Sequence, residues 1–131
     1  MQKVLIIQPY VPSYRVPLFE QLREALAAQD IDLEIAAAQV SGHQMQRGDA
    51  ASLDFSKSVA SHSIRLRGIA LRWKWVHRLV GRSDLVVTEL ASGALDNYVT
   101  ALRPGVRFAT WGHGYAATSS PNPIDSALEN W

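Results

Sequence analysis

These 131 residues are 47% hydrophobic and carry a formal net charge of +1. That composition fits one cytoplasmic domain with a single core, and it leaves no global field to draw nucleic acid. Cysteine is absent, which excludes disulfide frameworks, thiol catalysis and zinc–thiolate sites. No signal-peptide pattern opens the chain, and no apolar run nears the roughly 20 residues needed to span a bilayer.

The chain reads as strand and helix in alternation. Residues 3–8 contain the uninterrupted run Val4-Leu5-Ile6-Ile7, as expected of a parallel strand covered on both faces. A proline- and tyrosine-rich loop follows, then a helix over about 16–29. Pro17 suits its first turn, Phe19, Leu22 and Leu26 line one face, and Glu20, Arg23 and Glu24 face water. Residues 33–38 make the second strand. Residues 39–63 show no sustained period and predict a long mobile loop. Its Arg47-Gly48-Asp49 is read as coincidental, and His43 and His62 have no partner at ligand spacing. In residues 63–67, Ile64 and Leu66 alternate with Arg65 and Arg67, predicting a short edge strand. A helix is expected over 70–80 and a fourth strand over 84–89. Ser92 then caps a helix whose Leu95, Tyr98, Val99 and Leu102 form an inward apolar stripe. Asp96 and Arg103 complement its dipole, and Pro104-Gly105 ends it. Residues 106–111 form the fifth strand, and a further helix begins near Pro123.

This order predicts a doubly wound, Rossmann-like parallel sheet with strand order 3-2-1-4-5. The winding reverses between strands 1 and 4, so the loops at 9–14 and 90–93 border the expected binding crevice. His113, set between Gly112 and Gly114 just after strand 5, falls on the same rim, where flanking glycines allow close approach of a ligand. The turn after strand 1 reads QPYVPSY. It has none of the glycines that a dinucleotide fingerprint or a P-loop requires, and no G-x-S-x-G elbow occurs.

Two blocks carry a resemblance. The opening VLIIQPYVPSYRVPLFEQLREAL, with Tyr14-Arg15 and then Leu18-Phe19, resembles the amino-terminal start of GT-B fold retaining glycosyltransferases of family 4. Trp111-Gly112-His113-Gly114 resembles the segment that closes the amino-terminal half of such enzymes. The blocks lie in the right order about 100 residues apart, a span that suits one Rossmann-like domain. The resemblance implies an acceptor-side domain of an enzyme that transfers a sugar, with retention, from a nucleoside-diphosphate sugar to the hydroxyl of a glycan or lipid-linked acceptor. His113 would be the catalytic hydrogen-bond donor facing the donor sugar or phosphate. Tyr10, Ser13, Tyr14 and Arg15, with Gly112 and Gly114, would shape the acceptor side. Plainer readings stay open: Tyr14 as a hydrophobic staple, Arg15 as a solvated first-turn residue. The family's glycine-rich donor loop, basic pair and paired-glutamate motif have no counterpart here, so these residues alone are expected to be inactive without a carboxy-terminal donor domain. No metal is implied, because no DxD-like pair occurs.

From Phe55 to Ser83 there is no Asp or Glu, yet Lys57, Arg65, Arg67, Arg72, Lys74, Arg78 and Arg82 all occur. On the expected helix, Lys74, Arg78 and Arg82 lie together opposite an apolar arc, with Trp73 at its border. Such a helix can rest on an anionic membrane, placing the protein on the inner membrane face, or pack on the sheet with its basic face solvated. A free-standing α/β binding or regulatory domain is the alternative to the enzyme reading. An uncovered interdomain face would favour self-association.

Overall fold

The computed structural model describes residues 1–38, 48–91 and 93–112. Where branched apolar residues run together, strands form at the centre of a sheet. β1 (Gln2–Gln8) is flanked by β2 (Ile31–Ala38) on one side and β6 (Leu85–Glu89) on the other. β3 (Ser56–Val59) and β7 (Arg107–Trp111) complete a five-stranded sheet of order β3-β2-β1-β6-β7, and every neighbouring pair is parallel. The protein is thus α/β with a Rossmann-like sheet whose winding reverses between β1 and β6.

Strand alternation divides the core between the two faces. Ile6, Leu33 and Ile35 meet α1 (Val16–Ala27) through Phe19, which is fully buried, with Leu22 and Leu26 packed alongside. Leu5, Ile7, Ala36 and Val86 meet Val76 and Val80, at and near the short helix α2 (His77–Val80), with Leu79, Val106 and Phe108 packed around them. The amphipathic stripe expected for α1 is therefore the one it buries, and Pro17 sits in its first turn.

Three expectations need correction. The third strand of the sheet is residues 56–59, inside the stretch expected to be a structureless loop. The described part of that stretch is anchored by buried Leu53, by the Pro12–Ala50 bridge and by the Lys57–Glu34 ion pair. Of residues 63–67, 63–66 instead belong to β4 (Ser61–Leu66), which pairs antiparallel with β5 (Ile69–Lys74) in a separate hairpin, and Arg67 enters its turn. Its turn is Arg67-Gly68, with φ of 49° and 84°, the left-handed pair that a two-residue hairpin turn requires.

The helix expected over 70–80 is accordingly a strand followed by one helical turn. Trp73, Lys74, Arg78 and Arg82 share no helical face. Lys74 is turned inward and only 8% exposed, because Asp96 draws it in.

The third correction concerns α3 (Leu95–Ala101). Its apolar residues face out, with Leu95, Tyr98, Val99 and Leu102 all exposed, while Asp96, Asn97 and Thr100 are buried. Polar pairing decides the inversion. Asp96 accepts from the Lys74 ammonium at 3.2 Å, Thr88 donates to Asn97 at 2.9 Å, and the Asn97 amide donates to the Glu89 carbonyl at 2.9 Å. Every one of these bonds ties α3 to the hairpin or to β6, and satisfied polar groups can be buried where unsatisfied ones cannot. Gly93, just before α3, lies so close to β5 that a Cβ there would collide with the Ala70 carbonyl oxygen. Ala94 stands at the N-cap of α3, which has no side-chain cap bond. The expected cap Ser92 lies outside the described residues.

Candidate functional site

Parallel strands of a doubly wound sheet leave a crevice beyond their carboxyl ends where the winding reverses. Here that place lies between β1 and β6, and the last residue of each strand there is polar: Gln8 and Glu89. The loop after β1 returns as a 3-10 turn over Ser13–Arg15, which brings the Arg15 side chain back over the strand ends. Arg15 Nη1 donates to Gln8 Oε1 at 2.6 Å and lies 3.4 Å from Glu89 Oε1. Gln8 is fully buried, and its amide donates to the Ile7 carbonyl at 3.2 Å.

Trp111, the last residue of β7, registers opposite Glu89. The Arg15 guanidinium lies 5.3 Å from its ring centroid and 5.7 Å from that of Tyr14, within cation–π range. Trp111 in turn packs on Phe19 of α1, with centroids 6.3 Å apart. Three adjacent strand ends and one loop thus hold a single guanidinium, whose side chain is 17% exposed.

An arginine carries five N–H donors. Among the described residues only Nη1 of Arg15 is bonded, so Nε and Nη2 keep three donors for a ligand. Glu89, with its side chain 34% exposed, supplies a carboxylate acceptor beside them. The Trp111 indole N–H is buried with no hydrogen-bond partner among the described residues, so this residue contributes its ring to the site. Donor, acceptor and aromatic surface in one place suit a ligand rich in hydroxyls, and the free arginine donors suit an anionic group. Among the described residues, no group of three or more His, Asp or Glu side chains could hold a metal ion.

Of the residues singled out from the sequence, Arg15 is at the centre, drawn into the strand ends and not left as a solvated first-turn residue. Tyr14 is 68% exposed, so it is no hydrophobic staple, and its ring flanks the guanidinium. Tyr10 is buried, and its hydroxyl donates to the Asp49 carboxylate at 3.3 Å. Together with the Ser13 N–H bond to the Asp49 carbonyl at 2.6 Å, this fixes the shape of the loop. Ser13 itself is exposed on the turn. Gly112 follows Trp111 on the rim, where a Cβ would lie 3.3 Å from that of Leu90. His113, Gly114 and His43 lie outside the described residues, as does the helix expected from Pro123.

Gln8, Glu89 and the ring of Trp111 were not foreseen as site residues. The available signal was a polar residue closing an apolar run on each strand beside the winding reversal. Elsewhere, Trp73, Lys74, Asp96 and Thr100 help line a cleft of about 30 Å³. That is far below the roughly 300 Å³ at which small-molecule sites begin. Neither family models nor curated proteins contain a match to this chain. Among the described residues, no helix is long and apolar enough to cross a membrane.

Proposed function

We propose that this chain is the acceptor-side domain of a GT-B glycosyltransferase, which binds a hydroxyl-bearing acceptor at the Arg15–Glu89–Trp111 cluster. The observation that carries the reading is the half-spent guanidinium of Arg15, clamped at the winding reversal beside an accessible carboxylate and an aromatic ring. Its loop is the same Tyr14-Arg15 segment that resembles the start of family 4 enzymes. In this reading Glu89 accepts from an acceptor hydroxyl and Arg15 donates to the neighbouring oxygens. The nucleoside-diphosphate sugar is held chiefly by a second domain. His113 carries over from the resemblance as the donor facing the departing diphosphate, and His113→Ala in an enzyme containing both domains should lower kcat roughly 100-fold or more.

Titration calorimetry tests the division of labour. This chain should bind uridine, guanosine and adenosine diphosphate sugars no more tightly than millimolar. Simple glycosides and a sugar-phosphate lipid analogue form the acceptor panel. Binding of at least one panel member, lost in Arg15→Ala, supports the assignment. Micromolar binding of a nucleotide-sugar would place the donor on this domain and overturn it.

A further inference from the structure

The β4–β5 hairpin stands apart from both core clusters, neither of which contains any of its residues. Its register puts His62 opposite Trp73, Ile64 opposite Leu71, and Leu66 opposite Ile69. Because side chains alternate between faces along a strand, these six residues share one face. Ser61, Ser63, Arg65, Ala70, Arg72 and Lys74 share the other; Lys74 is buried on Asp96 of α3, the other five are exposed, and the free edge of β5 bonds to the Gly93 carbonyl through the Arg72 N–H at 2.7 Å. On the first face the β4 side chains stand outward, with Ile64 64% and Leu66 60% exposed, while Ile69, Leu71 and Trp73 of β5 are half-buried. Trp75, half exposed just beyond the hairpin, extends it by edge contacts with His62, Trp73 and His77.

Exposed apolar side chains grouped on one element and rimmed by polar residues mark an interaction surface, and the charges around them define the partner. Arg65 and Arg72 are exposed and Arg67 occupies the turn. Among the described residues none of the three has an acidic partner in salt-bridge range. No Asp or Glu occurs anywhere between Phe55 and Ser83. A ribbon two strands wide lets long arginine stems reach past its edges while their heads stay at the polar boundary. Tryptophan beside exposed aliphatic side chains is the composition of a membrane–water interface.

We infer that this hairpin docks the protein on an anionic lipid surface, with Ile64, Leu66 and Trp75 in the interface and Arg65 and Arg67 on the headgroups. The inference does not depend on the glycosyltransferase reading, since the hairpin and the Arg15 cluster share no residue.

Flotation with vesicles tests it, comparing phosphatidylcholine alone with phosphatidylcholine containing phosphatidylglycerol. The protein should float with the anionic vesicles, much less with the neutral ones, and progressively less as salt rises. Arg65→Ala with Arg67→Ala should lower partitioning roughly 30-fold, about fivefold for each arginine near the surface. Ile64→Ser with Leu66→Ser should abolish it. Both pairs lie on exposed positions, so their melting curves should match the parent and exclude misfolding as the cause. Absence of flotation, equal flotation with both vesicles, or anionic binding unchanged in the Ile64/Leu66 variant would overturn the inference. So would concentration-dependent dimerisation that the Ile64/Leu66 variant removes while the parent ignores vesicles, since the face would then belong to a second copy.

Discussion

Replacing Asp96 with alanine leaves the Lys74 ammonium where only 10% of its side chain meets solvent. Asp96 is buried more deeply, at 2% of its side chain, and accepts both the ammonium at 3.2 Å and the Lys74 backbone N–H at 3.3 Å. Removing one partner of a buried pair costs about 3–5 kcal/mol, because the remaining charge has lost its compensation. An exposed pair such as Lys3–Asp32, at 3.9 Å and nearly half exposed on both sides, is worth about 0–1 kcal/mol. Urea unfolding followed by circular dichroism separates these cases through the midpoint, provided the slope is unchanged. Asp96→Ala should lose about 3–5 kcal/mol and melt roughly 10 °C or more below the parent. Lys74→Met should also destabilise, leaving a buried carboxylate. Lys74→Met combined with Asp96→Leu should recover most of the loss, since replacing a buried pair by apolar groups is often neutral. A loss below about 1 kcal/mol in Asp96→Ala would mean that Lys74 is solvated. The inward strand placement of residue 74 would then be refuted in favour of a basic helical face.

Gly93→Ala pushes a Cβ into the Ala70 carbonyl oxygen and should cost about 1–3 kcal/mol in the same urea assay, the scale of overpacking a close contact. Leu102→Ser, on the outward side of α3 at 83% exposure, should change stability by less than about 0.5 kcal/mol; a loss above about 2 kcal/mol would restore the inward stripe that helical spacing predicts. Phe19→Ala, at the centre of the core face under α1, should cost about 3–5 kcal/mol.

Elements with one strong period were legible from residues alone. Val4-Leu5-Ile6-Ile7 is too apolar for anything but a covered strand, and Phe19, Leu22 and Leu26 have no period but a helix's. Between 64 and 79 two periods compete. Leu71, Trp75 and Leu79 recur at helical spacing, while Ile64, Leu66, Ile69, Leu71, Trp73 and Trp75 alternate around Arg67-Gly68. The turn dipeptide decides for the hairpin, because both of its residues adopt left-handed φ. For α3 the period was right and the face wrong. An apolar stripe marks the buried side only if no polar partner waits on the other, and Lys74, Thr88 and the Glu89 carbonyl do wait there. The site divides the same way. Arg15 was visible in its motif, and Gln8 meets it through the local return of the loop after β1, but Glu89 and Trp111 become its neighbours only through the order of strands in the sheet, which brings together residues 74 and more positions apart in sequence.

The acceptor-binding claim is tested most directly by following side-chain N–H resonances during a ligand titration. With the glycoside and sugar-phosphate lipid panel, the account predicts saturable shifts of the Arg15 Nε–H, which has no partner among the described residues, and of the Trp111 indole N–H, whose ring lies against the guanidinium. The Trp73 indole on β5 should stay where it is, and nucleotide-sugars should leave all three unmoved below millimolar concentration. Micromolar shifts of the Arg15 and Trp111 signals by a nucleotide-sugar, or acceptor-induced shifts that bypass both residues, would contradict it.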